Sequence, residues 1–257
     1  MNNYYMEVKN NKFKCTGITR NDNIAPLVEF IDKVTNHISD LTLEGEFDKK
    51  LINDIQQRVV KRSNFILTNI SIRNNCLYDE EILAIFEFMN NLPYLNSISL
   101  HGDFREQGME FLANQFALFK LKNNILSLVL SHANSGIGCP YGHSISYSNE
   151  AFAKVEAILE ELPQLTRLEI NTGAGLENVT FIALARFVIN RLNLEHFTLS
   201  GVLSVNILTY LYNTLTLMQA KYANNIQIKY KPTLDNNLSE IINKLNNIPN
   251  IKCQVFD

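Results

Sequence analysis

The sequence has no tryptophan, few cysteines and no long apolar run. No stretch of about 18 apolar residues occurs, and the densest one, IALARFVI, carries an arginine, so we expect no membrane-spanning helix. The cysteines form no C-x-x-C pair, and their scatter over 257 residues is typical of reduced thiols in a cytosol rather than of a disulfide framework. They are Cys15, Cys76, Cys139 and Cys253.

The chain also lacks an excess of charge of either sign. Its 23 Lys+Arg and 26 Asp+Glu give a formal net charge of −3. A nucleic-acid-binding protein presents a basic field, so this class is not expected. The N-terminal sequence MNNYYMEVKNNK has no basic segment followed by an apolar one, so we predict no Sec signal peptide. These features predict a soluble protein with enough apolar residues, 46%, for a sizeable core.

What the chain does have is a recurring short pattern: an aliphatic residue, two intervening residues and then an apolar-x-apolar pair. The first residues of these pairs lie at positions 13, 41, 70, 98, 128, 168, 197, 226 and 253. Seven of the eight steps are 27 to 30 residues long, and the remaining step is 40. A fixed period of this length is the sequence signature of repeat architectures.

Between these pairs the apolar residues change from a period of 2 to the helical period of 3.6. Helices are predicted at 79–92, 152–162 and 181–192. Prolines follow several of these segments and are expected to end the helices, because the residue before a proline disfavours the α conformation. These prolines are Pro93, Pro163 and Pro249. The apolar face predicted for the first helix is Ile82, Leu83, Ile85, Phe86, Met89 and Leu92.

The L-x-x-I-x-I-x-x-N pattern of Leu67 to Asn75, repeated with helices between, resembles the ribonuclease-inhibitor-like leucine-rich repeats. The resemblance implies an α/β solenoid of about nine strand-loop-helix repeats, a horseshoe with a parallel sheet on its concave face. The chain departs from the family at the asparagine position, which only Asn75 occupies. We expect a single leucine-rich-repeat domain at 13–257. A capping strand or hairpin at 1–12, turning at Asn10-Asn11, precedes it.

The 40-residue step contains an insertion of about 11 residues in the glycine-rich segment 131–149. Loops on rigid scaffolds commonly carry function. Thiol and imidazole groups bind zinc or act as nucleophile and base, but their spacing here matches no zinc signature, so we expect no metal. We expect a contact loop instead, with an enzyme or metal-binding protein that uses Cys139 and His143 as the alternative. The candidate contact residues are His132, Cys139, Tyr141 and His143.

The strand residues that alternate with the apolar pairs should form the concave face. They are mostly polar, with small Ser and Thr in the middle and charges at both flanks, as in a solvated docking surface. His101 near Asp103 is a weaker acid–base candidate, since the sequence places no nucleophile with it. No nucleotide-binding, zinc-protease or serine-hydrolase motif occurs. The expected binding residues are Glu44, Arg73, His101, Arg167, Glu169, Asn171 and His196.

In composition and architecture the chain also resembles the leucine-rich-repeat effectors that intracellular bacteria deliver through type IV secretion. This resemblance implies the host cytosol as the place of action and a host protein as the partner. From the residues we expect a non-enzymatic, cofactor-free binding module with no nucleic-acid or membrane partner. Stacked units account for all of 13–257 and leave no separate catalytic domain. A further alternative is a self-associating structural protein that pairs through its C-terminal edge, around Ile251 to Phe256.

Overall fold

The structure, a computed structural model, describes residues 4–34, 37–59, 66–74, 77–102, 106–132, 149–171, 193–201, 203–217, 225–230 and 237–255. These residues form an α/β fold with ten strands in one sheet and seven α-helices. The strands are hydrogen-bonded in chain order, and the sheet is open, with the first and last strands at its two edges. The α/β class expected from the sequence is confirmed.

Nine of the ten strands run parallel, and each contains one of the predicted apolar pairs. Only the first strand is antiparallel to its neighbour. The strands are β1 (Tyr5–Lys9), β2 (Lys12–Ile18), β3 (Asp40–Gly45), β4 (Asn69–Asn74), β5 (Ser97–Gly102), β6 (Ser127–His132), β7 (Arg167–Asn171), β8 (His196–Gly201), β9 (Asn225–Tyr230) and β10 (Ile251–Val255).

In the part of the chain that the structure describes, a helix lies in each connection between consecutive parallel strands from β2 to β7 and from β8 to β10. The connection of β7 to β8 is the remaining one. Most of that connection, including the helix predicted at 181–192, lies outside the described residues. The helices are α1 (Ala25–Val34), α2 (Lys49–Val59), α3 (Asp79–Met89), α4 (Glu106–Leu118), α5 (Asn149–Glu160), α6 (Val205–Leu217) and α7 (Leu238–Asn246). None of these helices combines the length and the apolar character that crossing a bilayer requires.

A proline follows α3, α5 and α7 as predicted, although α3 and α5 end at Met89 and Glu160 rather than at 92 and 162. Each of these three helices ends three or four residues before its proline. The first two strands form the predicted hairpin, whose turn residues Asn10 and Asn11 have φ values of 51° and 61°. Asparagine tolerates this left-handed conformation better than most residues. β1 therefore covers the edge that β2 would otherwise expose.

The core lies between one face of the sheet and the helices. The apolar pairs of β2 to β9 are buried there, together with one face of each described helix. In β10 the buried residue is Ile251, whereas Cys253 is partly buried and Val255, the second residue of the predicted pair, is 55% exposed. Three phenylalanine rings, Phe86, Phe116 and Phe119, meet edge to face with centroids 4.9 to 6.3 Å apart. Leu83 was expected in this core but is 42% exposed. It lies about 100° around α3 from Ile82, outside the buried stripe.

Candidate functional site: the polar face of the sheet

The polar face is formed by the strand residues that alternate with the buried apolar pairs. The backbone register aligns these residues in three rows across β3 to β9, as the alternation predicted. The first row is Asp40, Asn69, Ser97, Ser127, Arg167, His196 and Asn225. The second is Thr42, Ser71, Ser99, Val129, Glu169, Thr198 and Gln227, and the third is Glu44, Arg73, His101, Ser131, Asn171, Ser200 and Lys229.

The charges of the polar face are paired with one another near β2. Lys14 Nζ lies 3.6 Å from Glu44 Oε2, and Arg73 Nη1 donates to Glu44 Oε1 at 3.3 Å. Lys12 Nζ lies 3.7 Å from Asp40 Oδ1. The predicted site residues Glu44 and Arg73 are thus brought together. Parallel pairing makes this possible, because it sets residues of equal register side by side on neighbouring strands.

The middle of the polar face is a shallow depression with a volume of about 320 Å³. It extends from Asp40 on β3 to Arg167 on β7, and five of its eleven described lining residues carry hydroxyl groups. Four strand spacings of roughly 4.8 Å make this distance about 19 Å. The polar lining residues between the two ends are Thr42, Asn69, Ser71, Ser97, Ser99 and Ser127. A hydroxyl group can both donate and accept, so this lining can satisfy either kind of polar group in a ligand.

The two charged residues of β7 differ from those near β2 in how their charges are paired. Arg167 is exposed and Glu169 is partly buried. Within the described part of the chain, neither side chain has a hydrogen bond or an ion pair. Among the residues that the structure describes, Arg167 is the one cation that lines the depression. The guanidinium is therefore available to an external anion, and its planar fork suits a carboxylate or phosphate.

His101 contacts a side chain that the sequence analysis overlooked. Its Nε2 atom lies 2.7 Å from Ser99 Oγ, and both residues are on the polar face of β5. Burial, and to a lesser extent the Arg73 guanidinium, lower the pKa of His101 from 6.5 to about 4, against the opposing effect of the Glu44 carboxylate. The imidazole is therefore neutral at pH 7. Alternation along one strand, at positions i and i+2, was the signal that could have paired the two residues.

A serine beside a histidine resembles a nucleophile and its base. A base with a pKa near 4 takes up a proton poorly at neutral pH. β5 is paired on both sides, with β4 and β6, so its backbone amide groups are used in the sheet and are not available as an oxyanion hole. We therefore interpret Ser99 and His101 as part of a hydrogen-bonding surface. Asp103, the carboxylate expected beside His101, lies outside the described residues.

The accessible part of the polar face narrows towards β8. Asn171 is partly buried and His196 is exposed, both on the polar face as predicted. The expectation of a solvated face is wrong for Ser131, Thr198 and Ser200, which are buried. Ser200 Oγ donates to the carbonyl of Ile170 on the neighbouring strand at 3.5 Å, so it satisfies its polar group within the sheet. These three buried residues do not line the depression on β3 to β7, and beyond it His196 on β8 and Gln227 on β9 are exposed.

The inserted loop is mostly outside the described residues. His132 ends β6, whereas the candidates Cys139, Tyr141 and His143 are not among the described residues. The described thiols, Cys15 and Cys253, are free, and burial raises their pKa values to about 12 and about 11, so they are poor nucleophiles at neutral pH. Among the described residues, no group of three or more His, Cys, Asp or Glu side chains is arranged to hold a metal ion.

The C-terminal edge of the sheet is partly occupied by the chain itself. Asn246 Oδ1 accepts a 2.8 Å hydrogen bond from the backbone amide of Cys253 on β10. The amide of Ile251 donates to the carbonyl of Ile248 at 3.3 Å. An incoming strand would have to displace the Asn246 side chain to pair with this part of β10. Phe256, the last residue of the edge considered for self-association, lies outside the described residues.

Comparison with known proteins adds no assignment to this geometry. No protein-family model matches the chain, and a search of curated proteins finds no match. The function must therefore be argued from the polar face and its chemistry.

Proposed function

We propose that the chain is a leucine-rich-repeat protein whose curved sheet binds another protein through its polar face. The open sheet with strands in chain order, the regular spacing of the apolar pairs and the helix in each described connection support a solenoid. In this proposal the polar face is the concave surface of a horseshoe. A small-angle X-ray scattering curve tests the shape, because a flat arrangement of the same strands would give a different distance distribution.

The observation that carries the binding proposal is the depression across β3 to β7. Sites for small molecules are mostly apolar and enclose most of the ligand. This depression is open and about 19 Å long by strand spacing, with a charged residue at each end. Ser, Thr and Asn side chains line it between the ends, together with the apolar residues Leu41, Ile70 and Val129. Its size and hydrogen-bonding capacity fit an extended polypeptide better than a compact metabolite.

The proposal extends to the setting in which the protein acts. Composition and architecture favour a secreted bacterial effector that reaches the host cytosol without a Sec signal and binds a host protein there. An inserted loop lies within 131–149, after β6, and we propose it as a second contact element of the protein. Neither a cofactor nor a metal is part of this proposal.

The first experiment is affinity capture from host-cell cytosol with three forms of the protein. Ser71→Trp places a bulky ring in the depression, and Ser239→Trp makes the same change at an exposed position on α7. A partner kept by the wild type and by Ser239→Trp, but lost with Ser71→Trp, supports the polar face. Circular dichroism checks that all forms are folded to the same extent.

Replacement of residues 134–146 by a short Gly-Ser linker tests the loop separately. Loss of the partner in this variant alone would transfer the binding site from the polar face to the loop. If the wild type retains no partner, the binding-module proposal fails. Bound zinc or selective alkylation of Cys139 at neutral pH would then favour the enzyme or metal-binding alternative, and a mass that rises with concentration would favour self-association.

A further inference from the structure

The polar face has an excess of positive charge although the chain as a whole is negative. Its outward-facing strand residues from β2 to β10, where described, include six cations and three anions, against a formal charge of −3 for the whole sequence. The cations are Lys12, Lys14, Arg73, Arg167, Lys229 and Lys252, and the anions are Asp40, Glu44 and Glu169. A surface of this sign favours approach by an acidic partner.

Most of the charge near β2 is already neutralised within the protein. Asp40 and Glu44 each contact a lysine of β2, and Glu44 also contacts Arg73. Asn69 Nδ2 donates to Asp40 Oδ1 at 2.9 Å. These carboxylates therefore have partners before any ligand binds. An added acidic group gains little at this end of the depression, and Asp40 would repel it.

At the opposite end the charge is available. Arg167 lines the depression and, within the described ranges, has no side-chain partner. Glu169 lies two residues further along the same strand, in the second row, so it disfavours a second acidic group on that row. The arrangement accommodates one acidic side chain, at the first-row position above β7.

We propose that the depression binds an extended peptide segment of about six residues that places one acidic side chain on Arg167. The length follows from a span of about 19 Å at roughly 3.3 Å per extended residue. Between the ends, the hydroxyl groups on β3 to β6 can bond to the amide and carbonyl groups of a peptide whatever its side chains. This inference rests on the proposed protein-binding function and adds the chemistry of the partner.

The test uses a displayed library of random peptides selected on the full-length protein. We expect the selected peptides to share an Asp or Glu at one position. A selected peptide and its twin with Asn or Gln at that position are then titrated against the wild type, Arg167→Glu and Arg58→Glu. Arg58 is an exposed arginine of α2, so the control makes the same charge change away from the sheet face.

We expect Arg167→Glu to weaken the acidic peptide by about tenfold or more, because a charge-assisted contact becomes a repulsive one. The amide twin should bind the wild type about as weakly as the acidic peptide binds Arg167→Glu. The affinity of the twin should hardly change when Arg167 is replaced. Arg58→Glu should leave both affinities unchanged. Equal melting temperatures of the two variants would show that the loss is not one of folding.

Two other results would distinguish a failure of the acidic-partner proposal from a failure of the polar-face proposal. Peptides that lose binding in Ser71→Trp, but carry no common acidic residue and bind Arg167→Glu normally, overturn the acidic partner and leave the polar face as the binding surface. Peptides that bind Ser71→Trp and Ser239→Trp equally well bind elsewhere, and they overturn both proposals. A selection that yields no binder also counts against both.

Discussion

The side-chain amide of Asn74 donates a 2.8 Å hydrogen bond to the backbone carbonyl of Phe47, joining the end of β4 to the segment that follows β3. Asn74 is 1% exposed. In the register of the sheet it lies beside Gly45, and the corresponding inward-facing position of β5 is Gly102. Asn74 thus has a polar side chain at a position where both neighbouring strands have glycine. Its amide satisfies the Phe47 carbonyl in the connection between β3 and β4.

Replacement of Asn74 by alanine should lower the free energy of unfolding by about 1–3 kcal/mol, because a buried carbonyl loses a donor. Asn91→Ala is the matched control. The Asn91 amide also donates to a backbone carbonyl, that of Glu87, but at an exposed site where water can replace it. Urea unfolding of the two variants measures both effects. Equal losses would mean that the burial of Asn74 contributes nothing special.

Two glycines should respond in opposite directions to alanine. Gly45 has φ of 150°, and an added Cβ would lie 2.2 Å from the carbonyl oxygen of Ile18, so Gly45→Ala should destabilise by about 2 kcal/mol or more. Gly108 lies in α4 with open space around the corresponding position. Gly108→Ala should stabilise by about 0.5–1 kcal/mol through helix propensity. Thermal unfolding measures both changes in stability. A Gly45→Ala variant that is more stable than the wild type would contradict the close approach of Gly45 to Ile18.

The His101 imidazole should make stability depend on pH. Burial and the Arg73 guanidinium, opposed by the Glu44 carboxylate, lower its pKa to about 4 in the folded protein, from an ordinary value of 6.5. The unfolded chain binds the proton first, so the free energy of unfolding should fall as pH decreases from about 6.5 to 4, by about 3 kcal/mol at most. His101→Gln should lack this part of the decrease. Urea unfolding of the wild type and of His101→Gln at pH 7 and 4.5 measures the difference, because the other titrating groups are the same in both proteins. Equal decreases in the free energy of unfolding would refute the lowered pKa of His101.

Asn246 should limit strand pairing at the C-terminal edge. Asn246→Ala removes the acceptor of the Cys253 amide and leaves a donor open to another chain. We expect its mass by light scattering to rise with concentration more than that of the wild type. Asn243→Ala on the same helix, also exposed, is the control. If both variants behave alike, the Asn246 contact does not protect this edge.

Much of the sheet could be predicted from local pattern. The apolar pairs located all nine parallel strands, and alternation assigned which residues lie on the polar face, because side chains of a strand point alternately to its two sides. The same rule shows where the prediction was incomplete. The motif drew attention to Asn75, which lies outside the described residues, whereas Asn74 continues the inward series of Ile70 and Ile72 and is buried.

The candidate site could be predicted only in part. Glu44, Arg73 and His101 were recognised as residues of the polar face, but not as neighbours whose charges pair and shift the pKa of the imidazole. Those relations depend on which strands are adjacent and on the angle of long side chains. The expected accessibility of Ser131, Thr198 and Ser200 failed for a similar reason, since burial depends on what packs beside a residue.

The sequence by itself determined the α/β class, the strand positions and the identity of the polar face, because these follow from periods of two and 3.6 residues within short segments. The tertiary structure alone decided the electrostatics of that face. Lys12, Lys14 and Arg73 approach carboxylates on adjacent strands, whereas Arg167 meets no such partner in the described part of the chain. Charge pairing acts through space over a few ångströms, and residues about 30 positions apart come within that distance only when the strands are aligned.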